Sequence, residues 1–277
     1  MKYFKAIADQ GSINGAAREL HVSQPPLSYS MNQLESELGV KLFERSPQGI
    51  ELTKAGRIFY EHVEDLLGRA ASAAREVSMV GKRQILRFGL TPTVVSVMAP
   101  YLCKIEKAEG TIELELYEGD TYHLKELLND GTIDAAAIRT PVNLQGFRFM
   151  TILTESMAAV TNFPASEKDS QNISLQELSE RPLIIYRRYE KFIEEAFEKN
   201  GLQFNMLCEC DDARTAIQFA AEGLGTALVP EAIAQAEKPV QSYPINAKEL
   251  LTDIVIAWRN NSRLINSLLE IIKRSRP

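Results

Sequence analysis

The stretch SINGAARELHVSQPPLSYSMNQLESEL, Ser12 to Leu38, constrains the fold more than any other part of the chain: two short apolar stripes of helical period lie three residues apart. Ile13, Ala16, Ala17 and Leu20 line one face of a first helix, and Leu27, Met31, Leu34 and Leu38 line one face of a second. Ser12 and Ser23 stand where a side-chain oxygen caps each helix, and Pro25 and Pro26 fall in the first turn of the second, where a missing N–H costs little. Gly11 and Gly39 are suited to end the helices before and within the pair. The turn of His21, Val22 and Ser23 is too short for a long antiparallel pair, so the helices must cross steeply, with Ala16 and Ala17 permitting close approach. Such a unit fits the major groove of DNA, although an ordinary helical hairpin has the same pattern.

The residues that follow extend the unit. VKLF is a short apolar run, Ser46 to Gly49 reads as a turn, and Ile50, Leu52 and Thr53 complete a hairpin or wing. From Ala55 to about Gly81 there is no proline, and Ile58, Phe59, Val63, Leu66, Leu67, Ala70, Ala71, Ala74 and Val77 form a stripe along one long helix. A stripe of that length exceeds what a compact winged module can cover, so pairing with a second copy is expected, with packing on the chain's own C-terminal body as the alternative.

The motifs AAREL, HVSQPPLS and ELGVKLFER, followed by the spaced G, LT and AG of GIELTKAG, closely resemble the winged helix-turn-helix of the LysR-type transcriptional regulators. The resemblance extends through Leu86 to Arg139 and Gly223 to Pro230, which look like that family's effector-binding region. It implies an α+β multidomain chain: an N-terminal winged helix-turn-helix over 1–54, a long linker helix over 55–82, and a C-terminal α/β effector domain over 83–277. That domain would comprise two periplasmic-binding-protein-like subdomains, I over 83–161 and 252–277, II over 162–251, with crossovers near Thr161 and Thr252. The implied partners are double-stranded DNA, a small-molecule effector, a second copy giving a homodimer and then a homotetramer, and RNA polymerase. The family carries several more residues ahead of the first helix, here marked by Phe4, Ile7 and Ala8, so either that helix is short or the start lies upstream.

For base reading the candidates open the second helix. Gln24 can bond bidentately to adenine, Ser28 can donate or accept, and the rings of Pro25 and Pro26 can meet thymine methyls, with Ser23 beside them. Tyr29 and Asn32 occupy positions where the family often has arginine, which shifts phosphate and guanine contact toward Arg45 of LFER, similar to the family's wing arginine. Charge is thin throughout. Residues 1–83 hold 11 Lys/Arg against 10 Asp/Glu, leaving 20 against 27 for the rest of a chain with net charge −6. Binding must then rest on local cations such as Arg18, Lys41, Arg45, Lys54 and Arg57, and on dimerisation.

Beyond Ile85 short apolar runs alternate with helical segments: ILRFGL, IELELY, DAAAI, LIIY, MLCEC, TALV and DIVIAW. Alternation of this kind indicates α/β subdomains with mainly parallel sheets. Ligands of such sheets bind beyond the carboxyl ends of strands. Thr91 and Thr93 follow the first strand, Thr121 the second, Arg139 and Thr140 the third, Arg187 and Arg188 the LIIY strand, and Asp211 and Asp212 the MLCEC strand. Paired arginines can clamp a carboxylate, which favours a small anionic metabolite, unless they pair instead with Glu190 or the aspartates.

Catalysis finds no support. There is no Walker loop, no GxSxG and no complete GxGxxG, and His21, His62 and His123 lie near no nucleophile. Cys103, Cys208 and Cys210 give neither a disulfide framework nor metal-ligand spacing, so no cofactor or metal is expected beyond the effector. With no leader-like segment and no membrane-length apolar run, a cytoplasmic protein is expected. The competing reading is a solute-binding or carrier module whose hairpin is merely structural.

Overall fold

The computed structural model describes residues 1–46, 49–78, 84–110, 112–163, 172–237 and 241–275, and within these the side chains of residues 45, 46, 72, 75, 76 and 78 lie outside the described set. The chain divides into two compact units, Met1–Lys82 with Glu126–Thr132, and Arg83–Lys125 with Ile133–Pro277.

The first unit runs α1 (Lys2–Gln10), α2 (Ile13–Glu19), α3 (Gln24–Leu38), β1 (Phe43–Ser46), β2 (Gly49–Leu52) and α4 (Lys54–Ser78). Gly11 ends α1 at a left-handed φ of 56°, and Ser12 caps α2 by accepting from the Gly15 N–H at 3.2 Å. Ser23 occupies the N-cap position of α3, but its hydroxyl makes no capping bond. The expectation for Ser23 fails for a simple reason: a capping oxygen accepts from the second or third helical N–H, and Pro25 and Pro26 have none.

Phe4, Ile7, Ala16, Ala17, Leu27, Met31, Leu42 and Val63 form the core of this unit. The stripe of α3 departs from its expected composition. Leu38 is exposed, and Glu35 takes the buried place one turn after Met31. Its carboxylate accepts from the Leu42 N–H at 2.8 Å and the Phe43 N–H at 3.3 Å, which supplies partners for the backbone entering the wing. The β1–β2 hairpin is antiparallel, and the Ile50 N–H donates to Gly11 O at 2.9 Å, tying the wing to the turn between α1 and α2. Gly49 is needed there, since its φ is 135° and a Cβ would stand 2.7 Å from Gly11 O. Gly56 in α4 is needed more acutely, because a Cβ would approach Leu42 O to 2.1 Å. On α4, Val63 is buried in the core with Phe59 and Leu67 against it, whereas Ile58, Leu66 and Val77 are exposed.

The second unit contains β3 (Gln84–Leu90), α5 (Val95–Glu109), β4 (Ile112–Glu118), the start of α6 (Thr121–Asn129), β5 (Ala135–Arg139), β6 (Arg148–Val160), α7 (Leu175–Ser179) and β7 (Pro182–Tyr186). It continues through α8 (Glu190–Lys199), β8 (Asn205–Cys210), α9 (Ala213–Ala221), β9 (Thr226–Pro230), α10 (Glu231–Glu237), β10 (Ser242–Pro244), β11 (Leu251–Trp258) and α11 (Arg263–Ser275). The strands lie in the order β4-β3-β5-β11-β6-β9-β7-β8, with β10 also on β6. β3 is parallel to β4 and β5, and β7 to β8 and β9, as their alternation with helices requires. The sheet is nevertheless mixed rather than mainly parallel: β6, β10 and β11 all run antiparallel to their neighbours. β6 joins the two halves, pairing β11 up to Ser156 and β9 from Met157 onward. One half buries Leu86, Phe88, Ile254 and Ile256 beneath α5 and α11. The other buries Leu183, Ile185, Ile193 and Leu228 on one face, and Ile184, Ala216, Ala227 and Val229 on the opposite face.

Candidate nucleic-acid interface and effector site

Gln24, Ser28 and Asn32 recur at helical spacing and so share one side of α3, with Pro25 and Tyr29 beside them. Ser23, Gln24, Pro25, Pro26 and Asn32 are exposed, Ser28 is half-buried, and Tyr29 keeps 72% of its surface in solvent. The Gln24 amide donates to Ser28 Oγ at 2.6 Å, which fixes the side chain along the helix and leaves its carbonyl available. None of these side chains carries charge. Exposed cations of the same unit include Arg18, Lys54 and Arg57, while Lys41, also exposed, is engaged with Glu35 at 2.6 Å. Arg45 lies in β1 opposite Ile50, with its side chain outside the described residues.

The second group of candidates gathers at the carboxyl ends of β3, β4 and β5, which are adjacent in the sheet. Arg139, the last residue of β5, is fully buried. Its Nε donates to Thr93 Oγ1 at 3.0 Å, its Nη2 to Thr93 O at 2.9 Å, and its Nη1 to the Glu155 carboxylate. Glu155 also accepts from the Ala232 N–H in the first turn of α10, so one buried pair links β5, β6, the turn after β3 and α10. The Arg139 charge is therefore cancelled within the protein, and Thr93 is committed to it. The hydroxyls of Thr91 and Thr121, both buried, have no hydrogen-bond partner among the described residues. Buried hydroxyls are rarely left so, and a ligand is one way to satisfy them.

The two neighbouring arginines part company. Arg187 is exposed and pairs with Asp211 at 2.9 Å and Glu209 at 3.3 Å. Arg188 turns inward: its Nη2 donates to Arg139 O at 2.5 Å and its Nε meets no acceptor among the described residues. Asp212 caps α9, accepting from the Arg214 N–H at 2.7 Å, and the Arg214 guanidinium with that backbone bond holds its carboxyl below the usual range despite partial burial. Burial pushes the Tyr189 phenol up, so it stays protonated at neutral pH beside Arg188. All three cysteines are free thiols.

Residues 1–57 match the family model described as bacterial regulatory helix-turn-helix protein, lysR family, and residues 81–276 match the LysR substrate binding domain. The chain is a LysR-type transcriptional regulator. The regulator is 27% identical to the HTH-type transcriptional regulator BenM of Acinetobacter baylyi, over 99% of this chain and 94% of the relative. It is equally similar to BsdA of Bacillus subtilis, over 95% and 94% of the two chains. Among solved structures, full-length BenM superposes with a TM-score of 0.61 at 27% identity, covering 99% of this chain and 94% of that one. Full-length CbnR in complex with its target DNA gives 0.60 at 26% identity, covering 99% and 97%. Regulators of this family bind DNA through the helix-turn-helix and carry an effector-binding domain, which removes the reading as a carrier with an inert hairpin. The family matched is one of transcriptional regulators rather than enzymes, and no described helix is long and apolar enough to cross a membrane.

Two residues important to this regulator escaped the sequence reading. Glu35 was hidden by Leu38, the more obvious fourth member of the α3 stripe. Glu155 lies in β6, whose run RFMTILTESMAAV mixes polar and apolar residues too evenly to signal a strand. An acid between Ile152 and Met157, both buried, was the available clue.

Proposed function

We propose that this regulator acts in the cytoplasm as a homodimer paired through α4, reads an inverted repeat through α3, and is switched by a small anionic effector. The effector would be held at the ends of the parallel strands, by the unpaired groups of Thr91, Thr121 and Arg188. The observation that carries the DNA half is the exposed, uncharged face of α3, in which Gln24 and Ser28 offer hydrogen-bonding groups and Tyr29 is exposed. Gln24 and Ser28 read bases, while Arg45, Arg18, Lys54 and Arg57 hold phosphates. Asp212, as a helix cap, and Arg187, as a surface ion pair, support the effector site rather than touch the ligand.

Switching requires that the ligand bind two arrangements of the dimer with different affinity. Arg188 reaches from the end of β7 to the backbone at the end of β5, so a ligand on its guanidinium draws on both halves of the sheet. Footprinting over the chain's own upstream DNA tests the scheme. Two protected half-sites related by a twofold axis should appear, and a single unpaired footprint would count against the dimer. Calorimetry against small carboxylates should show heat that vanishes in a Thr91→Ala, Thr121→Ala double variant; retained heat would place the site elsewhere.

A further inference from the structure

How many charges the anionic effector carries depends on which cations at the strand ends are already paired. Arg139 and Glu155 cancel one another in the interior, with side-chain exposures of 0% and 5%. Arg187 is offset by Glu209 and Asp211, and Asp212 is offset by Arg214. Arg188 is the guanidinium of this group left with no carboxylate partner among the described residues. Its Nη2 donates to the neutral Arg139 carbonyl, and its buried Nε has no acceptor among the described residues. The buried hydroxyls without a partner among the described residues, those of Thr91, Thr121, Tyr189 and Thr252, are neutral.

Resting on the proposed effector site, we infer that the ligand is a monocarboxylate whose single charge is held by Arg188, and that Glu155 sets this preference by cancelling Arg139. A second carboxylate would find no second unpaired guanidinium among Arg139, Arg187 and Arg214, and burying an uncompensated charge is far more costly than leaving it in water. The threonine hydroxyls can donate to the carboxylate or to a polar substituent but cannot neutralise another charge. Removing the Glu155 charge frees the Arg139 guanidinium, and the same site then has two cations for a dicarboxylate.

Calorimetry on the full-length protein with matched acids tests this: butyrate against succinate, crotonate against fumarate, benzoate against phthalate, with benzamide as the neutral control. At least one monocarboxylate should bind saturably, about tenfold or more tighter than its dicarboxylate partner. Arg188→Met should abolish that binding and Glu155→Gln should narrow or invert the ratio. The wild-type ratio decides the matter even where Glu155→Gln fails to fold. A dicarboxylate that binds more tightly than its partner acid, with loss in Arg188→Met, would overturn the single-charge inference and leave the anion site standing. Equal binding of benzamide and benzoate, binding unaffected by Arg188→Met, or no saturable binding by any acid would remove the anion site and the inference together.

Discussion

Ser12 and Ser23 stand at equivalent helix starts, yet they should respond differently to the same substitution. Ser12→Ala removes a bond to the Gly15 N–H and should cost about 1 kcal/mol in urea denaturation. Ser23→Ala should leave stability within about 0.5 kcal/mol of wild type, because the prolines beyond it offer no N–H to lose. Glu35 extends the contrast to charge. Burial works to raise its pKa, but the Lys41 ammonium and the Leu42 and Phe43 N–H groups outweigh that and hold it below the usual carboxylate range. A depressed folded pKa contributes stability above the unfolded value, and that stability is lost as pH falls through the folded one. Glu35→Gln should therefore destabilise by about 1–3 kcal/mol near neutral pH, with the gap to wild type closing in acid below about pH 4. Lys41→Ala should matter much less, since that side chain is 74% exposed and its attraction is screened by water. Arg139→Met leaves the buried Glu155 carboxylate without its cation and should cost about 3–5 kcal/mol in the same denaturation measurement.

At the scale of elements, α4 carries the prediction about assembly. Val63 satisfies the winged core, while Ile58, Leu66 and Val77 stay exposed at 54%, 47% and 74%, an arrangement a second copy of the helix can cover. If the proposed α4 pairing holds, the wild type should sediment as a dimer and Ile58→Glu with Leu66→Glu as a monomer without loss of helical circular dichroism; a monomeric wild type or an unchanged sedimentation coefficient would contradict pairing through α4. The helices of the first unit were legible because their stripes keep one period and end at glycine, as Gly11 and Gly39 do with left-handed φ values of 56° and 68°. β6 was not. It serves two half-sheets in succession, its register against β11 shifts between Ile254 and Val255, and its alternation therefore never settles into one phase. The buried Arg139–Glu155 ion pair was hidden for a related reason. Arg139 and Glu155 sit on strands separated in the sheet by β11, and no local spacing announces that their side chains meet. The threonines after β3 and β4 were visible in the sequence as a group, but which hydroxyls were already spent was not: Thr93 serves Arg139, and Thr91 and Thr121 have no partner among the described residues.

Across the whole molecule the regulator is acidic, with net charge −6, and its DNA-binding third is close to neutral. Non-specific attraction to phosphate should consequently be weak, and base contacts from α3 should account for an unusually large share of discrimination. A competition anisotropy titration measures this directly, by comparing dissociation constants for the chain's own upstream DNA and a scrambled duplex at fixed salt. The expected ratio is about 10³ or more. Gln24→Ala should reduce that ratio, whereas Lys54→Ala should weaken both duplexes alike and leave it unchanged. A wild-type ratio near one, or a ratio insensitive to Gln24→Ala, would contradict sequence reading by α3.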